Sequence, residues 1–74
     1  RQLSGRTLGI FGMGDIGRRI AARARAFDMR ILYCNRSRLA PELEAGAEHR
    51  ATIAALAAEV DVLVLACPAT DETR

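Results

Sequence analysis

Three glycines with the spacing GxGxxG stand near the start of the chain, in the segment Gly12-Met13-Gly14-Asp15-Ile16-Gly17. The chemistry open to such a segment is anion binding by the main chain. The first glycine permits a tight turn, the second lets the backbone approach a phosphate, and the third lets a following helix pack closely. A helix that begins here would direct its unpaired N–H groups and its positive dipole end at the anion. The segment therefore predicts a loop that holds a pyrophosphate without a lysine.

The elements around these glycines decide whether they have this meaning. Thr7–Phe11 is a short apolar run that stops at a glycine, which indicates a strand entering a turn. Apolar residues then recur at helical spacing, at Ile16, Ile20, Ala24 and Phe27. This pattern predicts a helix from Asp15 to near Asp28. A glycine-rich turn without a ligand is the alternative, and it is disfavoured by strand–helix units on both sides.

The rest of the chain repeats the alternation of strand and helix. The predicted elements are a strand at 30–34, a short helix at 41–45, a weak strand at 47–51, a helix ending near 59 and a strand at 61–66. Pro41 suits a first helical turn, Gly46 a helix stop and Thr52 a helix cap. The order βαβαβαβ predicts an α/β fold, a partial Rossmann-type parallel sheet with strand order 3-2-1-4 and right-handed crossovers.

Composition and charge argue against several other classes of protein. The 11 basic residues are all arginines, spread along the chain, and the net charge is only +2, so we expect no nucleic-acid partner. No charged leader or apolar stretch of ~20 residues is present, so we expect no membrane contact and a cytoplasmic location. Cys34 and Cys67 are too far apart for a CxxC motif and are expected to be free thiols, and His49 an ordinary packing or surface residue. No metal site is expected.

The loop after the second predicted strand bears on the choice of dinucleotide. NAD-selective sites place an acidic residue there, about 20 residues past the glycines, to bind the adenosine ribose. This chain has Asn35 instead, followed by Arg36, Ser37 and Arg38. Two guanidinium groups and a hydroxyl could hold a 2′-phosphate. We therefore expect the cofactor NADP(H), with NAD as second choice, and a solvated arginine loop as the alternative.

With these motifs in place, the chain resembles the D-isomer-specific 2-hydroxyacid dehydrogenase family over nearly its whole length. The resemblance rests on LSGRTLGIFGMGDIGRRIAARARAFDMRILY, on NRSR and on DVLVLACPATDETR. The NRSR loop is similar to that of the glyoxylate and hydroxypyruvate reductases that use NADPH. The resemblance implies backbone contacts to the pyrophosphate from Met13, Asp15 and Ile16. It also implies that Cys67 and Pro68 wall the adenosine side and that Thr73 lies near the phosphates.

The family's activity implies hydride transfer between NADP(H) and a small 2-keto or 2-hydroxy acid, with glyoxylate or hydroxypyruvate as substrate and a homodimer as assembly. Residues 1–74 then form the N-terminal half of the dinucleotide-binding domain. The catalytic residues, the substrate domain and the rest of the sheet are expected outside this chain. One alternative is a non-catalytic, dinucleotide-sensing module like the corepressors related to this family. Another is a hydrolase like adenosylhomocysteinase with tightly bound NAD, which Asn35 in place of an acid disfavours.

Overall fold

A computed structural model describes residues 5–66, in which four parallel strands alternate with three helices. The elements are β1 (Thr7–Phe11), α1 (Asp15–Ala26), β2 (Arg30–Cys34), α2 (Pro41–Glu44), β3 (Glu48–His49), α3 (Ile53–Glu59) and β4 (Val62–Leu65). The sheet has the order β3-β2-β1-β4, and every strand pair is parallel. The predicted α/β fold, the Rossmann-type sheet and the strand order 3-2-1-4 are confirmed.

The register of the sheet brings the carboxyl ends of three strands to one edge. Phe11 at the end of β1 pairs with Cys34 of β2 on one side and with Leu65 of β4 on the other. The turn after β1 and the loop after β2 therefore begin side by side. Ligands of open parallel sheets bind outside this carboxyl edge, so the register determines where a site can form.

The core lies on both faces of β1 and β2. Because side chains alternate along a strand, Ile31 and Tyr33 of β2 face α1 while Leu32 and Cys34 face α3. The residues buried on the α1 side are Leu8, Ile10, Met13, Ala21, Ala24, Ile31, Tyr33 and Ala47. On the α3 side, Leu56 packs against Leu32 and Cys34. Burial on both faces explains why these strands read as continuous apolar runs.

The face that α1 buries overlaps the middle of the apolar stripe in the sequence, at Ile20 and Ala24, but not its two ends. Ile16 and Phe27 are 59% and 58% exposed, whereas Gly17, Ala21 and Ala24 are buried. The helix lies so close to β1 that only small side chains fit between them. Within residues 5–66, no helix is long and apolar enough to cross a membrane.

Candidate functional site

The turn after β1 depends on the backbone freedom of its first glycine. Gly12 has a φ of 96°, in the left-handed region that favours glycine. Its N–H donates to the Cys34 carbonyl at 3.0 Å, and its own carbonyl accepts from the Gly14 N–H at 3.0 Å. The chain therefore leaves β1 in a tight turn that stays bonded to the end of β2.

The second and third glycines have different surroundings. A Cβ on Gly17 would lie 2.7 Å from the Gly12 carbonyl oxygen and 3.1 Å from Cγ2 of Ile10, so a side chain here would push the helix off the strand. A Cβ on Gly14 would meet no described atom within 4 Å beyond its chain neighbours. Gly17 thus serves packing inside the protein, whereas Gly14 keeps a space clear outside it.

The start of α1 presents backbone donors to that space. Gly14 is the N-cap and supplies no side-chain cap, and its carbonyl accepts the first helical bond, from the Arg18 N–H at 2.8 Å. The N–H groups of Asp15, Ile16 and Gly17 have no acceptor within residues 5–66. An open cleft of about 200 Å³ lies at this end of the helix, lined by Gly14, Asp15, Ile16 and Ala66. Three unpaired donors at the positive end of a helix form a site that can bind a phosphate group.

The carboxylate of Asp15 does not occupy this anion site. Arg18 Nη2 donates to Asp15 Oδ1 at 2.6 Å, and the Asp15 side chain is 82% exposed. Asp15 and Arg18 are three residues apart on α1, a spacing at which opposite charges pair on a helix surface. The ion pair leaves little negative charge at the start of the helix to repel a bound phosphate.

Asn35 fastens the glycine loop to the end of β2. Its Oδ1 accepts from the Met13 N–H at 2.7 Å, and its Nδ2 donates to the Met13 carbonyl at 3.4 Å. The Met13 side chain is buried in the core. The N–H of Met13 is therefore already bonded, and the donors left for an anion are those of Asp15, Ile16 and Gly17. The spacing of the sequence alone did not reveal this contact.

The loop that follows β2 contains the arginines predicted to bind the cofactor, in two different environments. Arg36 and Ser37 are exposed and make no hydrogen bond or ion pair with the residues that the structure describes. Arg38 Nε instead donates to Glu44 Oε2 at 2.9 Å. The structure thus places Asn35 on the glycine loop, Arg38 on Glu44, and the two residues between them in solvent.

Glu44 and Tyr33 form a buried pair beneath this loop that the sequence did not predict as functional. The Tyr33 hydroxyl donates to Glu44 Oε2 at 2.5 Å and accepts from the Leu39 N–H at 2.9 Å. Hydrogen bonds from Arg38 and then from Tyr33 hold the pKa of Glu44 below its usual value. Burial, followed by the bond to Glu44, raises the pKa of Tyr33. The only sequence signal was a glutamate on a short helix close after Arg38.

Other predicted residues fall outside the site or outside the described range. Cys67, Pro68 and Thr73 lie outside residues 5–66, so their predicted contacts stay predictions, as does the state of Cys67. The His49 ring packs edge-on against the Tyr33 ring with centroids 5.2 Å apart, which confirms it as a packing residue. In the described part of the chain, no group of three or more His, Cys, Asp or Glu residues could hold a metal ion.

Comparison with known proteins settles the family. Residues 1–74 match the family model described as "D-isomer specific 2-hydroxyacid dehydrogenase, NAD binding domain". This chain belongs to the D-isomer-specific 2-hydroxyacid dehydrogenase family. The predicted resemblance is confirmed, and a nicotinamide dinucleotide is the cofactor of this domain. The open space at Gly14 and the free donors of α1 fit its pyrophosphate.

Individual relatives agree with the family match. A glyoxylate reductase from Aeropyrum pernix is 51% identical over 74 residues, covering 99% of this chain and 22% of its own length. A 4-methyl-2-oxopentanoate reductase A from Aspergillus oryzae is 50% identical, covering 100% of this chain and 22% of its own length. Both relatives are thus more than four times as long as the matched segment.

Solved structures of relatives share the fold as well as the sequence. A glyoxylate reductase structure from Paecilomyes thermophila superposes with a TM-score of 0.87 at 49% identity, covering 100% of this chain and 22% of that one. The apo D-mandelate dehydrogenase of Rhodotorula graminis superposes with a TM-score of 0.89 at 28% identity, covering 99% and 22%. Enzymes named for different substrates, glyoxylate and D-mandelate, therefore contain the same local architecture.

Proposed function

We propose that the whole protein is a reductase that transfers a hydride from NADPH to a small 2-keto acid. In this proposal, residues 1–74 form the N-terminal half of its dinucleotide-binding domain and hold the adenosine and pyrophosphate of the cofactor. The observation that carries it is the start of α1, where three N–H groups have no acceptor among residues 5–66 and Gly14, Asp15 and Ile16 line an open cleft. A doubly charged pyrophosphate supplies the acceptors that these donors lack.

The cofactor supplies the hydride, and the residues of this chain bind and orient it. Main-chain donors of Asp15, Ile16 and Gly17 hold the pyrophosphate, while Asn35 keeps the glycine loop in place through Met13. The predicted contacts of Cys67, Pro68 and Thr73 with the adenosine and phosphates belong to the same proposal. The catalytic residues, the substrate domain and the rest of the sheet lie outside this segment.

The preference for NADPH rests on the residues at the end of β2. An acidic side chain would accept the ribose hydroxyls of NAD and repel a 2′-phosphate. Asn35 has no such charge, and the exposed Arg36 and Ser37 offer a cation and a hydroxyl beside it. Hydrogen bonds to charged groups contribute about 1.5–3 kcal/mol each, so one contact from Arg36 is enough to favour NADPH about tenfold.

Glyoxylate or hydroxypyruvate is the substrate that we infer. The support comes from the relatives, of which several are named glyoxylate reductase and one glyoxylate/hydroxypyruvate reductase. Because one relative is named for 4-methyl-2-oxopentanoate, the test also includes a larger 2-keto acid. A homodimeric assembly and a cytoplasmic location stay predictions of the same proposal.

The test is a titration of NADPH and of NADH into the full-length protein, followed by reduction assays with glyoxylate, hydroxypyruvate and 4-methyl-2-oxopentanoate. We expect tighter binding of NADPH and oxidation of NADPH with at least one of these acids. NADH affinity equal to or above NADPH affinity would contradict the cofactor choice. Binding without reduction of any 2-keto acid would overturn the enzyme in favour of a dinucleotide-sensing module.

A matched pair of glycine variants tests the site itself. Gly14→Ala places a methyl group in the open space where the pyrophosphate is proposed to lie, so it should weaken both coenzymes with little loss of stability. Gly46→Ala also meets no atom within 4 Å but has a φ of +94°, so it should strain the backbone and leave coenzyme affinity unchanged. Equal coenzyme affinities of the two variants would place the site elsewhere.

A further inference from the structure

The loop from 35 to 40 is fastened at both of its ends and open in its middle. At its start, the Asn35 amide bonds to both the N–H and the carbonyl of Met13. Near its end, the Leu39 N–H donates to the Tyr33 hydroxyl. Between these anchors only Arg36 and Ser37 are exposed without a hydrogen bond or ion pair to the described residues. The loop thus presents two side chains while its own ends are bonded to the protein.

Arg38 belongs to the second anchor because of what lies beneath it. The Glu44 residue is only 6% exposed, and a buried carboxylate is costly unless it is paired. Its Oε2 accepts from Arg38 Nε at 2.9 Å and from the Tyr33 hydroxyl at 2.5 Å. Among the described side chains, Arg38 is the one cation that forms an ion pair with it. The charge of Arg38 is therefore already compensated within the protein.

Tyr33 connects this ion pair to the backbone of the loop. Its ring is fully buried on β2, so its hydroxyl has a fixed position. The same hydroxyl donates to Glu44 and accepts from the Leu39 N–H. Arg38, Glu44, Tyr33 and Leu39 thus form one chain of bonds that runs from the end of the loop into the core. Loss of any link frees the main chain that carries Arg36 and Ser37.

We propose that Arg38 is a positioning residue: with Glu44 and Tyr33 it sets the shape of the loop after β2, and it does not itself choose between NADPH and NADH. This inference rests on the proposed function and narrows the predicted role of Arg38. Selection of the coenzyme falls to Arg36 and Ser37. Both coenzymes depend on the shape of the loop, because each places its adenosine ribose against it.

Dissociation constants of NADPH and NADH for the full-length protein test this division of roles. Arg36→Gln should lower the preference for NADPH by about tenfold or more, the size of one lost charged hydrogen bond. Arg38→Gln should weaken both coenzymes, with a change in their ratio below about threefold, as expected of a screened surface charge. The inference is overturned if the preference for NADPH over NADH falls as far in Arg38→Gln as it does in Arg36→Gln.

Exchange of the Leu39 amide in the coenzyme-free protein gives a second readout. Arg38→Gln and Tyr33→Phe should both accelerate it, whereas Arg36→Gln should leave it unchanged. A role in stability alone would leave both dissociation constants of folded Arg38→Gln protein at their original values, and that outcome also contradicts a positioning role.

The Glu44→Gln variant best distinguishes two possible roles of Arg38: direct contact with the 2′-phosphate and positioning of the loop. If Arg38 contacted the 2′-phosphate, release from its carboxylate partner would raise the preference for NADPH. If Arg38 is a positioning residue, Glu44→Gln should weaken the binding of both coenzymes and leave the ratio of their dissociation constants nearly constant. The double variant Arg38→Gln with Glu44→Gln removes one charge of each sign and should match either single variant. A protein that binds neither coenzyme before mutation refutes the proposed function itself, which distinguishes that failure from failure of this inference.

Discussion

The first turns of α1 and α3 differ in whether a side chain caps their unpaired backbone N–H groups. Every helix begins with N–H groups that have no partner inside it. At α3, the Thr52 hydroxyl oxygen accepts from the Ala55 N–H at 3.0 Å. At α1, Gly14 has no side chain to offer, and the described residues leave three N–H groups without an acceptor. A side chain thus caps one N–H group of α3 and none of α1, and the uncapped start of α1 is the one proposed to bind a phosphate.

The same contrast extends to the units around the two helices. Ionic side chains fasten the β2–β3–α3 part of the molecule. They include Arg30 with Glu48, Arg50 with Glu48 and Glu59, and Arg38 with Glu44. The β1–α1 unit packs by close approach of glycine and alanine instead, and Asn35 is the described side chain that bonds its loop to β2. Substitutions in the β1–α1 unit should therefore affect close packing and coenzyme binding, whereas substitutions in the β2–β3–α3 part should affect ion pairs and stability.

The largest effect is expected from Gly17→Ala in the β1–α1 unit. A Cβ 2.7 Å from a backbone oxygen cannot be accommodated unless the helix moves away from the strand. Overpacking of this kind costs about 1–3 kcal/mol, and the displaced helix should also lose coenzyme. Urea unfolding of the full-length protein and a coenzyme titration measure the two losses. Gly14→Ala, whose Cβ would lie in open space, is the control: it should weaken coenzyme binding without loss of stability. Equal stability of the two variants would contradict the packing role of Gly17.

Asn35→Ala removes the connection between the two parts. Two hydrogen bonds to Met13 are lost, each contributing about 0.5–1.5 kcal/mol, so the glycine loop should open more often. We expect faster exchange of the Met13 amide and weaker binding of both coenzymes. Asn35→Asp keeps an oxygen for the Met13 N–H and should preserve much of that protection. Unchanged exchange in Asn35→Ala would show that the loop holds its shape without the amide.

Both central strands were predicted from the sequence with their observed bounds because burial on two faces leaves a clear signal. Thr7–Phe11 and Arg30–Cys34 are apolar runs that end where the chain must turn. The weak patterning of 47–51 matches a β3 of only two residues, Glu48–His49. The short strand contacts β2 at the edge of the sheet, where little burial constrains the sequence. For β1, β2 and β3, the clarity of the predicted strand therefore followed how deeply it is buried. In β4, by contrast, three of the four residues of a clearly apolar run are exposed.

The contacts between elements could not be predicted from the pattern along one element. The apolar stripe of α1 was right for Ala24, which is buried, but Ile16 and Phe27 at its two ends are exposed. Gly17 and Ala21, which lie outside the stripe, are buried instead. In α3, the apolar Ile53 is 41% exposed although it lies one turn from the fully buried Leu56.

Contacts at the candidate site were hidden for a related reason. Tyr33 on β2 and Glu44 on α2 are 11 residues apart and meet only in the folded chain. The glycine spacing encodes a local conformation, so it was readable from the sequence. The partners of Arg38 and Asn35 depend on the folded chain, so they were not.

In the second part of the comparison, Thr52→Ala should cost about 1 kcal/mol, the usual contribution of a helix cap. Amides in the first turn of α3 should exchange faster, while coenzyme affinity stays at its original value because α3 offers no donors to the ligand. Thr52→Ser keeps the capping oxygen and serves as the control. A loss of coenzyme affinity in Thr52→Ala with the cap kept in Thr52→Ser would couple α3 to the site and weaken the contrast between the two helix starts.

The smallest effect is expected from acid, and it should fall on the ionic part of the molecule. Hydrogen bonds from Arg30, together with the charges of Arg30 and Arg50, lower the pKa of Glu48 from 4.5 to about 2. A carboxyl group whose pKa is lower in the folded state stabilises that state fully above pH 4.5, and this stabilisation is lost as the pH falls from 4.5 through about 2. These groups are exposed, so salt should weaken the effect. An NMR titration of the Glu48 carboxyl should return its pKa toward 4.5 in Arg30→Gln. The control is Arg18→Gln, which breaks the ion pair in the β1–α1 unit and should leave the pKa of Glu48 unchanged. If both variants shift this pKa equally, the ionic network is not confined to the β2–β3–α3 part.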